Sequence, residues 1–217
     1  MDRVDALVLL IPVLKRPQNV APLLESIAQA TPQPYRVLFI ADSHDKAEHA
    51  AIAAAKAEML IVNGNYAKKI NEGVKATDEP LIFLGADDLR FRAGWLEAAK
   101  RKIRGTIGVV GTNDLGNPRV VKGLHATHPL ITREYAERGT IDDPTRVLHE
   151  AYPHEFVDDE FIQTAKKRKA FAHASTSVVE HLHPLWNKGE WDEVYSPHKQ
   201  RMAIGRRIYN KRRRLWM

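Results

Sequence analysis

The sequence predicts an α/β protein, with an open, mostly parallel sheet between layers of helices. Two observations carry this. Short apolar runs alternate with helix-like segments through the first half of the chain, and Pro, Gly, Asn or Asp marks each changeover. The first run, Ala6-Leu7-Val8-Leu9-Leu10-Ile11, is apolar without alternation, as expected of a parallel strand covered on both faces.

The elements follow in order. Pro12 closes the first strand. Pro17 and Pro22 bracket the start of a helix over about 18–29, with Val20, Leu23, Leu24 and Ile27 as its buried stripe. Pro32 and Pro34 turn the chain into a second strand, Tyr35 to Ala41. Asp42-Ser43 caps an Ala-rich helix near 44–57. Met59 to Val62 is a third strand, and Asn65 caps a helix over 66–76. Leu81 to Leu84 is a fourth strand, followed by Gly85-Ala86-Asp87-Asp88. A helix at 95–104 and a fifth strand at 107–110 complete the regular half. Beyond it the pattern loosens. Residues 128–138 read as a strand end passing into a short helix, 156–168 as a helix, and 175–179 as a strand.

Composition narrows the class. The chain has 217 residues, 44% apolar and 28% charged, enough for one substantial core. The absence of cysteine removes disulfides, thiolate catalysis and Cys-ligated zinc. No apolar run is long enough to span a bilayer. The run at 6–11 follows acids as well as Arg3 and lacks a small-residue cleavage site, so it reads as a strand and not a signal peptide. A cytoplasmic setting is expected, with a membrane surface as a peripheral option.

The net charge of +6 is unevenly spread. Eight Lys and Arg fall in 199–217 with no acid, and removing them from the total of 33 leaves 25 against 27 acids in 1–198. One near-neutral domain over 1–198 and a basic tail over 199–217 are therefore expected. The tail suits contact with an anionic surface, either nucleic acid or lipid. A dedicated nucleic-acid-binding module would spread its basic charge over the body, and this chain does not.

In an open α/β sheet ligands bind beyond the C-terminal ends of the strands. Asp42, Asn63 to Asn65, Asp87-Asp88, and Asn113-Asp114 all fall at such ends. Asp87-Asp88 is the strongest candidate, because paired carboxylates beside a buried strand repel unless a cation joins them. Mg²⁺ or Mn²⁺ gripping diphosphate oxygens would supply it. The plainer reading is a polar turn. No Gly-x-Gly-x-x-Gly or Gly-x-x-x-x-Gly-Lys run is present, which weighs against dinucleotide and P-loop sites. His181 and His183 alternate on an extended segment and should point to opposite faces. Asp158, Asp159 and Glu160 open a helix, where acids suit the dipole and could also serve as a general base. His125 and His128 are candidates for the lining of an acceptor cleft.

Together these residues resemble the family 2 glycosyltransferases, which have the Rossmann-like GT-A fold. The likeness lies in Leu10-Ile11-Pro12-Val13-Leu14-Lys15-Arg16-Pro17 with Leu23-Leu24-Glu25-Ser26-Ile27, in Asn65 to Ala76, and in Leu81 to Asp88 with Gly94-Trp95-Leu96. It covers about residues 5–185. The resemblance implies an inverting, metal-dependent transfer of a sugar from a nucleoside-diphosphate sugar to an acceptor hydroxyl. It places Asp42, Asn65, Lys68 and Asn71 against the nucleotide, with the loop residues Pro12 and Arg16 also on the donor side. It makes Asp88 the firmest ligand of Mn²⁺ or Mg²⁺, with Asp87 beside it and the late His183 completing the shell. It makes Asp158 the general base, with Asp159 as the one-residue alternative. Two departures stand out: Ala86 replaces the first acid of the usual Asp-x-Asp, and strand two ends Ala-Asp-Ser-His-Asp. A nucleotidyltransferase on a related fold is the rival enzyme reading. Sugar, base and acceptor are not legible.

Overall fold

The structure is a computed structural model, and it describes residues 6–217. Its centre is an eight-stranded mixed sheet. The strands are β1 (Leu7–Pro12), β2 (Tyr35–Ala41), β3 (Glu58–Ile61), β4 (Leu81–Leu84), β5 (Leu89–Phe91), β6 (Val109–Asn113), β7 (Pro129–Thr132) and β8 (Phe171–His181), in the spatial order β3-β2-β1-β4-β7-β6-β8-β5. β3, β2, β1 and β4 run parallel, in the alternating order the first half predicts. β7 then inserts antiparallel between β4 and β6. The fifth regular strand therefore does not join the fourth directly. β8 pairs first with β6 and then with β5, and its register shifts between Gly111 and Asn113 of the partner strand.

Helices cover both faces: α1 (Val20–Ala30), α2 (Lys46–Ala54), α3 (Tyr66–Lys75), α4 (Trp95–Lys100), α5 (Pro118–Val121), α6 (Arg133–Ala136), α7 (Val157–Lys167) and α8 (His198–Arg212). β1 shows why its sequence is uniformly apolar. Leu7, Leu9 and Ile11 join the core under α1 and α4, whereas Val8 and Leu10 join the core under α3 and α7. Trp95 lies fully inside the first core, where its indole N–H donates to Thr31 Oγ1 at 2.9 Å and its ring meets Phe83 and Phe91 edge-on.

The acidic turn is set by close backbone approach. Gly85 donates to the Leu10 carbonyl, and a Cβ there would lie 2.5 Å from Ile11 Cδ1. From Gly85 the chain turns through Asp87 and Asp88 directly into β5, a three-residue strand too short to leave a sequence signal.

Residues 198–212 form α8, packed against the domain. Gly205 meets the Glu155 carbonyl, Ile208 and Tyr209 pack on the second core, and Trp216 is buried. No helix of the described residues is long and apolar enough to cross a membrane.

Candidate active site

Asp87 and Asp88 lie at the C-terminal end of β4 with side chains only 7% and 8% exposed. Two adjacent buried carboxylates cannot both hold full charge without partners. Burial and the neighbouring Asp88 push Asp87 up, to about 8. Burial also opposes charge on Asp88, but His181 overcomes it, with help from Tyr195 and His128, and holds Asp88 below the usual carboxylate range. The pair is thus split into one firm anion and one proton carrier.

The histidines around Asp88 have donor atoms to spare. His181 Nε2 lies 3.3 Å from Asp88 Oδ1, close enough to pair but not aligned as a hydrogen bond. Its ring is 4.9 Å from that of His128 and 5.0 Å from that of His183. His128 Nδ1 lies 3.1 Å from the Leu84 carbonyl, which assigns its proton to Nδ1 and leaves Nε2 a bare lone pair. Burial holds His128 neutral, with its pKa lowered to about 3. Asp88 Oδ1, His128 Nε2 and His181 Nδ1 are all buried without hydrogen-bond partners. Such orphaned polar atoms are costly in a folded chain. One carboxylate among several imidazoles is a donor set that suits Mn²⁺ better than Mg²⁺. The residue types at this turn suit a divalent cation, whereas the His/Asp group whose ligand atoms already converge within 4.8 Å, among the described residues, is His125, Asp158 and Asp159.

The expected separation of His181 and His183 does not hold. Residues two apart on an extended chain share a face, and the two rings lie 5.0 Å apart on the same side. His181 is the one in contact with Asp88. His183 Nδ1 accepts from the Leu185 N–H at 3.1 Å, and its ring packs 4.4 Å from that of Tyr195.

Arg16 reaches the acidic pair from the loop after β1. Lys15 adopts a left-handed φ of 54° there, held by its N–H on Asp45 Oδ2 at 2.7 Å. The Arg16 N–H donates to buried Glu48 at 2.6 Å. The guanidinium lies 3.4 Å from Asp87 and 3.5 Å from Asp88 and forks onto both oxygens of Asp192, at 2.6 and 3.0 Å. It also stacks 4.0 Å from the Tyr195 ring centre, and the Tyr195 hydroxyl donates to Asp88 Oδ2. Lys15 pairs with Glu193 at 2.9 Å. The segment 192–195 therefore covers the acidic turn. Sequence reading missed Asp192 and Tyr195, because neither stands in a local pattern that points to residues more than a hundred positions away.

The remaining donor-side candidates divide. Asp42, at the end of β2, accepts from buried Lys69 at 2.6 Å and from the Gly64 N–H at 3.2 Å. Lys69, and not the neighbouring Lys68, is the cation turned into the rim; Lys68 is exposed. Pro12 ends β1 on that rim, beside Ile40. Asn65 caps α3 through the Lys68 N–H, and its amide donates to the carbonyls of Glu150 and Tyr152. Asn71 is buried, and its amide is consumed by Leu148 and Glu150. Asn71 has no polar group left for a nucleotide. It ties α3 to the 148–150 loop.

The second acidic pair opens α7. Phe156 precedes it with φ at 72°, which turns the chain sharply into the helix. Asp158 Oδ2 lies 2.9 Å from His125 Nε2, and Asp159 pairs with Arg119 at 2.7 Å. Burial disfavours charge on Asp158, but His125 outweighs it and the pKa is lowered; burial and Asp158 together raise Asp159. His125, Asp158 and Asp159 offer atoms within 4.8 Å of one another, a spacing able to hold an ion, and Arg119 already pairs with Asp159. Glu160 turns inward and anchors the tail, accepting from Tyr152 and from Arg212. Tyr66, His128 and His154 each lie within electrostatic reach of both Asp88 and Asp158, so the two acidic centres are neighbours in the fold.

This fold has known counterparts. Residues 8–161 match the model of glycosyl transferase family 2. Glucosyl-3-phosphoglycerate synthase from Mycobacterium tuberculosis, solved with Mn²⁺, uridine-diphosphate-glucose and phosphoglyceric acid, superposes with a TM-score of 0.64 at 12% identity, covering 92% of this chain and 78% of that one. The mannosyltransferase PcManGT from Pyrobaculum calidifontis, in complex with GDP-Man and Mn²⁺, gives 0.60 at 14% identity, covering 91% and 68%. No curated protein matches the sequence. These likenesses carry the fold, and the family match spans well over half of the sequence: the chain belongs to glycosyl transferase family 2.

Proposed function

We propose that the protein is an inverting, metal-dependent glycosyltransferase, hexosyltransferase-like, that moves a sugar from a nucleoside-diphosphate sugar to an acceptor hydroxyl. One observation carries the reading. An ionised Asp88, beside a neutral His128 whose Nε2 lone pair is unused, neighbours an ionised Asp158. The solved relatives named above hold Mn²⁺ with UDP- or GDP-linked sugars, which supports the donor class.

In this reading Asp88 holds Mn²⁺ or Mg²⁺, with Asp87 and His183 from the sequence pattern and His181 from the geometry. Bound there, the cation offsets negative charge on the departing diphosphate. Arg16, once released from Asp192, offers its fork to the same phosphates. Pro12, Asp42 and Lys68 border the nucleotide, and Asn65 and Asn71 hold the wall behind it. Asp158 takes the proton of the acceptor hydroxyl as that oxygen attacks the anomeric carbon. The bond from that carbon to the diphosphate oxygen breaks with its electron pair on the leaving group, so configuration inverts. Asp159, paired to Arg119, is the alternative base. Segment 192–195 lies where a closing cover would exclude water from the donor.

The test is a panel of nucleoside-diphosphate sugars with and without Mn²⁺, read by saturation-transfer NMR. At least one donor should bind only with metal. If no donor binds under either condition, the reading fails.

A further inference from the structure

The arginines and lysines of α8 divide into two groups with different surroundings. Arg201 pairs with Glu155 at 3.0 Å, and Arg212 pairs with Glu160 at 2.7 Å and with Asp142 at 2.8 Å. These two fasten the helix to the domain. Lys199, Arg206, Arg207 and Lys211, with Arg213 and Arg214 in the turn that follows, are exposed. None of the six has a carboxylate partner among the described residues.

Their placement on the helix is ordered. At 3.6 residues per turn, Lys199, Arg206, Arg207 and Lys211 fall within an arc of about 140°. Gly205, Ile208 and Arg212 occupy the opposite, packed face. The helix has 15 residues. The ridge is therefore on the order of 22 Å long. Arg207 and Lys211 stand at i and i+4, where like charges destabilise a helix, and no acid of the fold offsets them. Elsewhere the chain is close to neutral, so the field of this ridge is local.

The aromatic side chains of the same segment are already engaged, and Ile204 and Met217 are its exposed large apolar residues. Tyr209 packs 5.5 Å from Phe156 and 5.2 Å from Trp216, and Trp216 is only 7% exposed. On the exposed face Gln200, Ala203 and Asn210 lie between the cations, and Ile204 is the large aliphatic at its edge. A helix that lies in a lipid interface needs an apolar face to insert, and this one has turned its apolar face into the protein. A hydrated polyanion needs only cations and hydrogen-bond donors, which the ridge supplies.

We propose that the exposed face of α8 is a docking ridge for the phosphate backbone of a nucleic acid. The ridge is fastened through Glu155, close in sequence to Asp158, but the inference does not rest on the transfer reading.

The test is fluorescence anisotropy of the full chain with a labelled, mixed-sequence DNA duplex across a salt series. Six phosphate contacts predict a log–log salt slope of about −5. R206Q/R207Q/K211Q should reduce the magnitude of that slope by about 3 and weaken binding at least about tenfold at moderate salt. Its circular dichroism and melting temperature should match the parent, because these side chains hold nothing in place. Vesicles of phosphatidylserine and phosphatidylcholine are assayed in parallel. Binding to vesicles without binding to duplex overturns the proposal, as does duplex binding that the triple variant leaves unchanged. Nucleotide-sugar binding, measured on the same preparations, should be unaffected, so failure here would leave the transfer reading standing.

Discussion

Asp87-Asp88 and Asp158-Asp159 are the same dipeptide in two settings. The first lies in a strand-end turn, almost wholly covered by Arg16, Tyr195 and His181. The second opens a helix, and the Asp158 side chain is 26% exposed. In each pair one acid is held low and its neighbour is pushed up, and the low one is the acid beside a histidine. Partners, and not residue type, decide which member is ionised. Burial and covering contacts also separate the two in kind. The strand-end pair, which in the proposed reading meets a cation, is covered by the 192–195 segment. The helix pair keeps an oxygen nearer solvent, as the proposed proton acceptor requires.

The largest effect should come from Asp158→Asn. Transfer falls by about two to four orders of magnitude while donor binding stays, as expected for loss of a general base. Single-turnover kinetics beside donor titration check this. Asp159→Asn should cost less than about tenfold; the reverse ranking would move the base to Asp159.

The pH profile sharpens the contrast. A base must be deprotonated, and Asp158 stays so below the ordinary carboxylate range because His125 outweighs burial. Transfer should therefore hold steady from neutrality down into that acidic range. His125→Gln removes the counterweight, leaves burial in charge, and should move the acidic limb to higher pH. An unmoved limb would separate His125 from the base.

A smaller effect is expected at the covered pair. Tyr195→Phe removes the hydroxyl that occupies Asp88 Oδ2. A hydrogen bond of about 1 kcal/mol corresponds to roughly fivefold, so Mn²⁺ should bind about that much tighter by calorimetry. Weaker binding would make Tyr195 part of the cation shell and not a competitor for it.

The parts of this molecule that are legible in its sequence are those set by local chemistry. β1, β2 and β4 announce themselves because buried parallel strands need unbroken apolar runs, and turn residues bound them. Both acidic pairs stand out because charge at element ends breaks the apolar pattern. β5 does not, since three residues carry no period. The insertion of β7 between β4 and β6 is a pairing choice made at long range, which an apolar run cannot report. His181 and His183 show the same limit. Alternation puts residues two apart on one face, and what it does not report is that only His181 reaches Asp88. Asn71 looks like a ligand residue in the sequence pattern and is a buried clamp in the fold. The cover made by Asp192 and Tyr195 depends on a chain reversal that no local spacing encodes.

The central claim is that the two acidic pairs do separate jobs. Calorimetric titration of a Mn²⁺-dependent nucleotide-sugar donor into the parent protein, Asp88→Asn and Asp158→Asn tests it most directly. Asp88→Asn should lose about two orders of magnitude in metal-dependent donor affinity, while Asp158→Asn should bind within about twofold of the parent. Retained binding in Asp88→Asn together with lost binding in Asp158→Asn would contradict it.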